Sequence, residues 1–114
     1  ASLATIETPL WHYDGANGLT GEGDDSRFFC AYGLAVHTLA NPDCRDDPFG
    51  DGRHRIGHSG EAYGLRSGLW IDPASGTGIA FFVTAVLDDA PKGRSAFTAA
   101  EEAVLRASHA RPHR

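Results

Sequence analysis

Between residues 65 and 87 two apolar runs flank a turn, and that pairing constrains the fold more than any other feature of the chain. Residues 65–71 place Leu65, Ser67, Leu69 and Ile71 on one side and Trp70 on the other. Residues 72–78, Asp-Pro-Ala-Ser-Gly-Thr-Gly, are turn formers, and residues 79–87 are almost continuously apolar. Two strands joined by a short Pro/Gly turn make an antiparallel hairpin. A strand as apolar as the second is expected to be covered on both faces.

The rest of the chain is read outward from this hairpin. Residues 28–39 are aromatic and β-branched enough for a strand, with Phe28, Cys30, Tyr32, Leu34 and Val36 alternating onto one face. Asn41-Pro42-Asp43 ends it, and an acidic loop holding Asp43, Asp46, Asp47 and Asp51 is expected to be solvated. A further short strand fits residues 54–60. Residues 1–27 are rich in turn formers and predict an irregular lead-in. Towards the C-terminus the period changes: Phe97, Ala100, Val104 and Ala107 recur at helical spacing, with Glu101, Glu102 and Arg106 to the other side. Thr98-Ala99-Ala100-Glu101 matches a capping box, with Ser95 as a competing N-cap, and Pro112 forbids continuation. The 114 residues are therefore one α+β domain, about four antiparallel strands with a C-terminal helix packed on one face.

Charge narrows the function classes. The formal net charge is −5 and the ten basic residues are scattered, which disfavours a nucleic-acid partner. No apolar run approaches the roughly 20 residues of a membrane span. Cys30 and Cys44 fit neither a CxxC redox motif nor a four-ligand zinc site. Joined, they would close a loop worth about 3 kcal/mol and imply a periplasmic or secreted location. Left as two thiols, they suit the cytoplasm equally well. His54 and His58 have zinc-ligand spacing only on a helix, and the strand expected there separates them, so neither a metal nor another cofactor is expected.

The ordered set Tyr32-Gly33-Leu34-Ala35-Val36, His58-Ser59-Gly60, Tyr63-Gly64, Asp72-Pro73 and Gly78-Ile79-Ala80-Phe81-Phe82 resembles the C-terminal part of the penicillin-recognising serine hydrolases. These are the serine β-lactamases, D-alanyl peptidases and class C-like esterases. The resemblance covers residues 28–107 and implies that His58-Ser59-Gly60 is the triplet on the inner strand of the sheet. The departures are equally informative. The family's nucleophile lies in Ser-x-x-Lys, but Lys92 is the only lysine and position 89 is Asp89; Tyr-x-Asn and Ser-x-Asn are absent too. The resemblance thus implies that an N-terminal portion carrying the nucleophile is missing or supplied as another chain.

Four candidate catalytic residues follow from the resemblance. His58 would take the place of the triplet lysine, and Ser59 would hydrogen-bond a substrate carbonyl or carboxylate. Gly60 would leave room for substrate backbone, and the Glu61 backbone N–H would be one of two oxyanion donors, each worth about 3–4 kcal/mol. Tyr63 is a candidate substrate contact. Each has a plainer role to beat: a solvated histidine, a strand hydroxyl, a tyrosine packed at a turn. The substrate would be an ester, a lactam or a peptide amide, and the 114-residue chain alone is expected to be inactive. The competing expectation is a non-catalytic module that uses the same sheet to bind a partner.

Overall fold

The central hairpin forms, but its second strand begins at Thr77, inside the expected turn, and ends at Val83, so residues 84–87 are not strand. A computed structural model of the protein describes residues 2–109. In it β5 (Leu65–Asp72) and β6 (Thr77–Val83) pair antiparallel from Arg66↔Val83 to Asp72↔Thr77. The strand β4 (Ile56–Ala62) joins β5 through a two-residue turn at Tyr63 and Gly64, both at positive φ, from Ile56↔Ile71 to Ala62↔Leu65. Both central residues of a type I′ turn need positive φ, which matches the twist of the strands it connects.

The sheet has six strands rather than about four, in the order β1-β2-β3-β4-β5-β6 and antiparallel throughout. The extra strands come from two corrections. Residues 28–39 do not form one strand: they fold into a hairpin of β2 (Ala31–Gly33) and β3 (Val36–Thr38) around Leu34 and Ala35, at φ 46° and 62°. Apolar alternation continues across that turn, so periodicity alone hides the reversal. The lead-in is not wholly irregular either. It holds α1 (Ser2–Glu7), a 3-10 turn at Gly23–Asp25, and β1 (Trp11–His12), which pairs with β2 at Trp11↔Tyr32.

The helix α2 (Ala99–His109) packs against β6, and Pro112 lies outside the described residues. Thr98 is the N-cap. Its Oγ1 accepts the Glu101 N–H at 3.2 Å, while Glu101 Oε1 accepts the Thr98 N–H at 3.1 Å, closing the expected capping box. Ser95 has another task, donating its hydroxyl to Glu102 at 2.6 Å. The buried face of α2 carries Glu101, Glu102 and Leu105, while Ala100 and Ala107 are exposed; of the expected apolar face Phe97 is buried and Val104 half-buried. Both glutamates are buried because the cap and the preceding loop consume their oxygens.

Leu39, Phe49, Trp70, Phe97 and Leu105 form the core, with Phe28, Ile79 and Phe81 against it. Only one face of the central sheet is covered among the described residues. On the other, Leu69, Ile71 and Phe82 are exposed, Phe82 at 72%, so β6 is not covered on both sides. The Asp43–Asp51 loop is also less solvated than its composition suggests: Asp46 is fully buried and accepts three hydrogen bonds from Asn41. Burial raises the Asp46 pKa and the Asn41 bonds oppose that shift. Cys30 and Cys44 are joined in a disulfide. No helix among the described residues is long and apolar enough to cross a membrane.

Candidate functional site

The site is built where a long strand outruns its short neighbour. β3 pairs with β4 only at Ile56 and Gly57, because the turn at Leu34–Ala35 reverses the chain there. From His58 to Ala62, β4 therefore has β5 on one side and, among the described residues, no strand on the other. A two-residue hairpin makes Ala62 and Leu65 a hydrogen-bonded pair, and such pairs alternate along the ladder. Hence Glu61, Ser59 and Gly57 direct their N–H and C=O groups away from β5. At Gly57 they meet β3; at Ser59 and Glu61 they face the open side.

A cleft of about 340 Å³ lies along that open half. His58, Ser59, Gly60 and Glu61 line one wall, so all four candidate catalytic residues come together. Phe28, Phe29 and Phe97 supply its apolar lining. Two ion pairs stand at the cleft, Glu61–Arg66 at 2.7 Å and Lys92–Asp25 at 2.7 Å, and the buried carboxylate of Glu101 borders it. Ser59 Oγ has no hydrogen-bond partner among the described residues.

His58 is held at both nitrogens. Its Nε2 lies 2.9 Å from the Tyr32 hydroxyl and its Nδ1 2.5 Å from the Ser59 carbonyl oxygen. The rings of Tyr32 and His58 meet edge to face at 5.7 Å. Behind them sits His37 on β3, fully buried between Phe28, Phe29 and Trp70, with no well-formed hydrogen bond at either ring nitrogen among the described residues and only a weak approach to the Phe28 backbone. Burial lowers its pKa to about 4; the charge of nearby His58 adds to this and the Phe28 backbone works against it.

One expected contact is absent. Tyr63 does not reach the cleft: it is fully exposed at the β4–β5 turn, where its φ of 52° serves the reversal. Gly60 lines the cleft as expected, and a Cβ there would also lie 2.5 Å from Ser67 Oγ, so the Ser67 hydroxyl would have to turn aside. Sequence reading missed Tyr32, Lys92 and the three phenylalanines as site residues. Tyr32 was visible only as a strand residue, and Lys92 only as the lysine that could not complete Ser-x-x-Lys. His54 Nδ1 lies 3.0 Å from the Leu39 carbonyl oxygen. The one cluster with metal-ligand spacing among the described residues is Cys30, Cys44 and Asp46, and its sulfurs are already bonded to each other.

Compared with known proteins, the chain matches no family model, no curated sequence and no solved structure.

Proposed function

We propose that this chain is the C-terminal sheet-and-helix part of a serine hydrolase resembling the penicillin-recognising enzymes, and that it works with an N-terminal portion bearing the nucleophile. Its contribution is the His58-Ser59-Gly60 strand and one oxyanion donor, the Glu61 N–H, for acyl transfer from an ester, a lactam or a D-residue amide. The observation that carries this reading is the unpaired half of β4, which aims the Glu61 N–H at the side where the cleft opens. An N–H fixed by a strand needs no reorganisation when charge develops on a carbonyl oxygen, which is the physical basis of oxyanion stabilisation. No lysine stands three residues after a serine to ease alkoxide formation, so the chain lacks an activated nucleophile of the family's kind.

The expected outcomes divide cleanly. The isolated chain forms no acyl-enzyme and hydrolyses neither nitrocefin nor p-nitrophenyl esters. With its N-terminal complement it hydrolyses at least one of them, and His58→Ala slows that reaction ten-fold or more, at least ~1.4 kcal/mol in barrier. Fluorophosphonate labelling of the isolated chain at Ser59 would refute this division of labour. A second reading, a non-catalytic interaction module, is favoured by the bare face of Leu69, Ile71 and Phe82. It predicts binding through that face and no hydrolysis by the complemented protein.

A further inference from the structure

The unpaired half of β4 poses a problem that any sheet protein must solve. A strand edge with free N–H and C=O groups is a template for another strand, from a peptide or a second copy of the chain. Here the outward groups belong to Ser59 and Glu61, and the Ser59 carbonyl oxygen is already taken by His58 Nδ1 at 2.5 Å.

We propose that Tyr32 is a positioning residue that locks His58 across this edge, so that the edge offers N–H donors to a single carbonyl group and refuses an extended strand. The hydrogen bonds fix the tautomer. A carbonyl oxygen only accepts, so Nδ1 carries the proton; in a neutral imidazole Nε2 is then an acceptor, and the Tyr32 hydroxyl 2.9 Å away donates to it. The two bonds pull the ring in opposite directions, with Phe29 packing against it at 6.5 Å between centroids. A strand added to β4 would need the Ser59 carbonyl as acceptor and the space that the imidazole fills. A ligand that brings one carbonyl acceptor needs neither, because the Ser59 and Glu61 N–H groups stay open. Its apolar remainder would lie on Phe28 and Phe97, which line the same cleft.

This goes beyond the hydrolase reading and does not depend on it, since it concerns the resting state of the 114-residue chain. Imidazole 15N NMR of that chain at about pH 9, where histidines are neutral, tests the first half. The expected spectrum has His58 Nδ1 in the protonated range and Nε2 unprotonated and shifted by an accepted hydrogen bond. Tyr32→Phe should move Nε2 to the position of an unbonded nitrogen and admit the second tautomer. An Nε2–H tautomer in the native chain overturns the proposal, as does an Nε2 signal indifferent to Tyr32→Phe. Sedimentation equilibrium tests the second half. Self-association should tighten several-fold in Tyr32→Phe and in His58→Ala relative to the native chain, and unchanged association in both variants would show that the imidazole does not guard the edge.

Discussion

Leu34 and Ala35 occupy the left-handed region that a Cβ disfavours, at a turn where the preferred residues are Asn and Gly. Ala35→Gly removes that conflict and should stabilise the chain by about 1 kcal/mol, read as a shift in urea midpoint with unchanged slope. His37 gives a pH prediction. Its folded pKa of about 4 lies below the ordinary histidine value of 6.5, so the unfolded chain takes up the proton first as pH falls. Stability is therefore unaffected by His37 above pH 6.5, declines between there and about 4, and loses about 3 kcal/mol over that window. In His37→Leu, urea denaturation across the same window should show a flatter profile; an unchanged decline would place the acid sensitivity elsewhere. Nothing in the sequence marks His37 as interior, because histidine in a short strand is ordinarily solvated. Asp46 was hidden for the same reason, since an acidic loop gives no sign of which carboxylate turns inward.

At the scale of elements, the features written in local chemistry were legible and those set by packing were not. The β5–β6 hairpin, with its Pro/Gly turn, and the Thr98 capping box could be read directly, because turn and cap residues act on the backbone beside them. The exposed face of α2 could not. Periodicity assigned Glu102 to solvent, whereas it is buried and accepts from the Arg94 and Ser95 N–H groups, the Ser95 hydroxyl and Arg106. Burial alone would raise its pKa; the Ser95 hydroxyl and N–H lead the bonds that outweigh this and hold it below the ordinary carboxylate value. Glu102 thus fastens the loop before α2 to the helix, and Gly93 must lack a Cβ because one would overlap the Glu102 carboxylate. Glu102→Gln should cost about 2–3 kcal/mol in urea denaturation, as a buried charged acceptor loses its charge while its donors remain. Cleft residues His58 to Glu61 could be read from the triplet, but Tyr32 and Phe97 reach the cleft only through the β2–β3 reversal and the docking of α2.

For the whole molecule, the Cys30–Cys44 bond ties the start of the β2–β3 hairpin to the loop that leads to β4. Replacing both cysteines with alanine should lower stability by about 3 kcal/mol, measured by urea denaturation, and mass-shift alkylation of the native chain without reductant should find no free thiol. The sheet itself has a consequence for how the chain reaches its folded state. Every strand lies beside its neighbour in sequence, so the ladder can form hairpin by hairpin without waiting for remote segments to meet. The joining of Phe28 and Leu39 to Phe97 and Leu105, and of Arg45 to Ser95 and Ala96, does require distant parts of the chain to find each other. Such an order of events lets the sheet assemble early and on its own, and the face of Leu69, Ile71 and Phe82 stays as open to water in the finished fold as in the first hairpin.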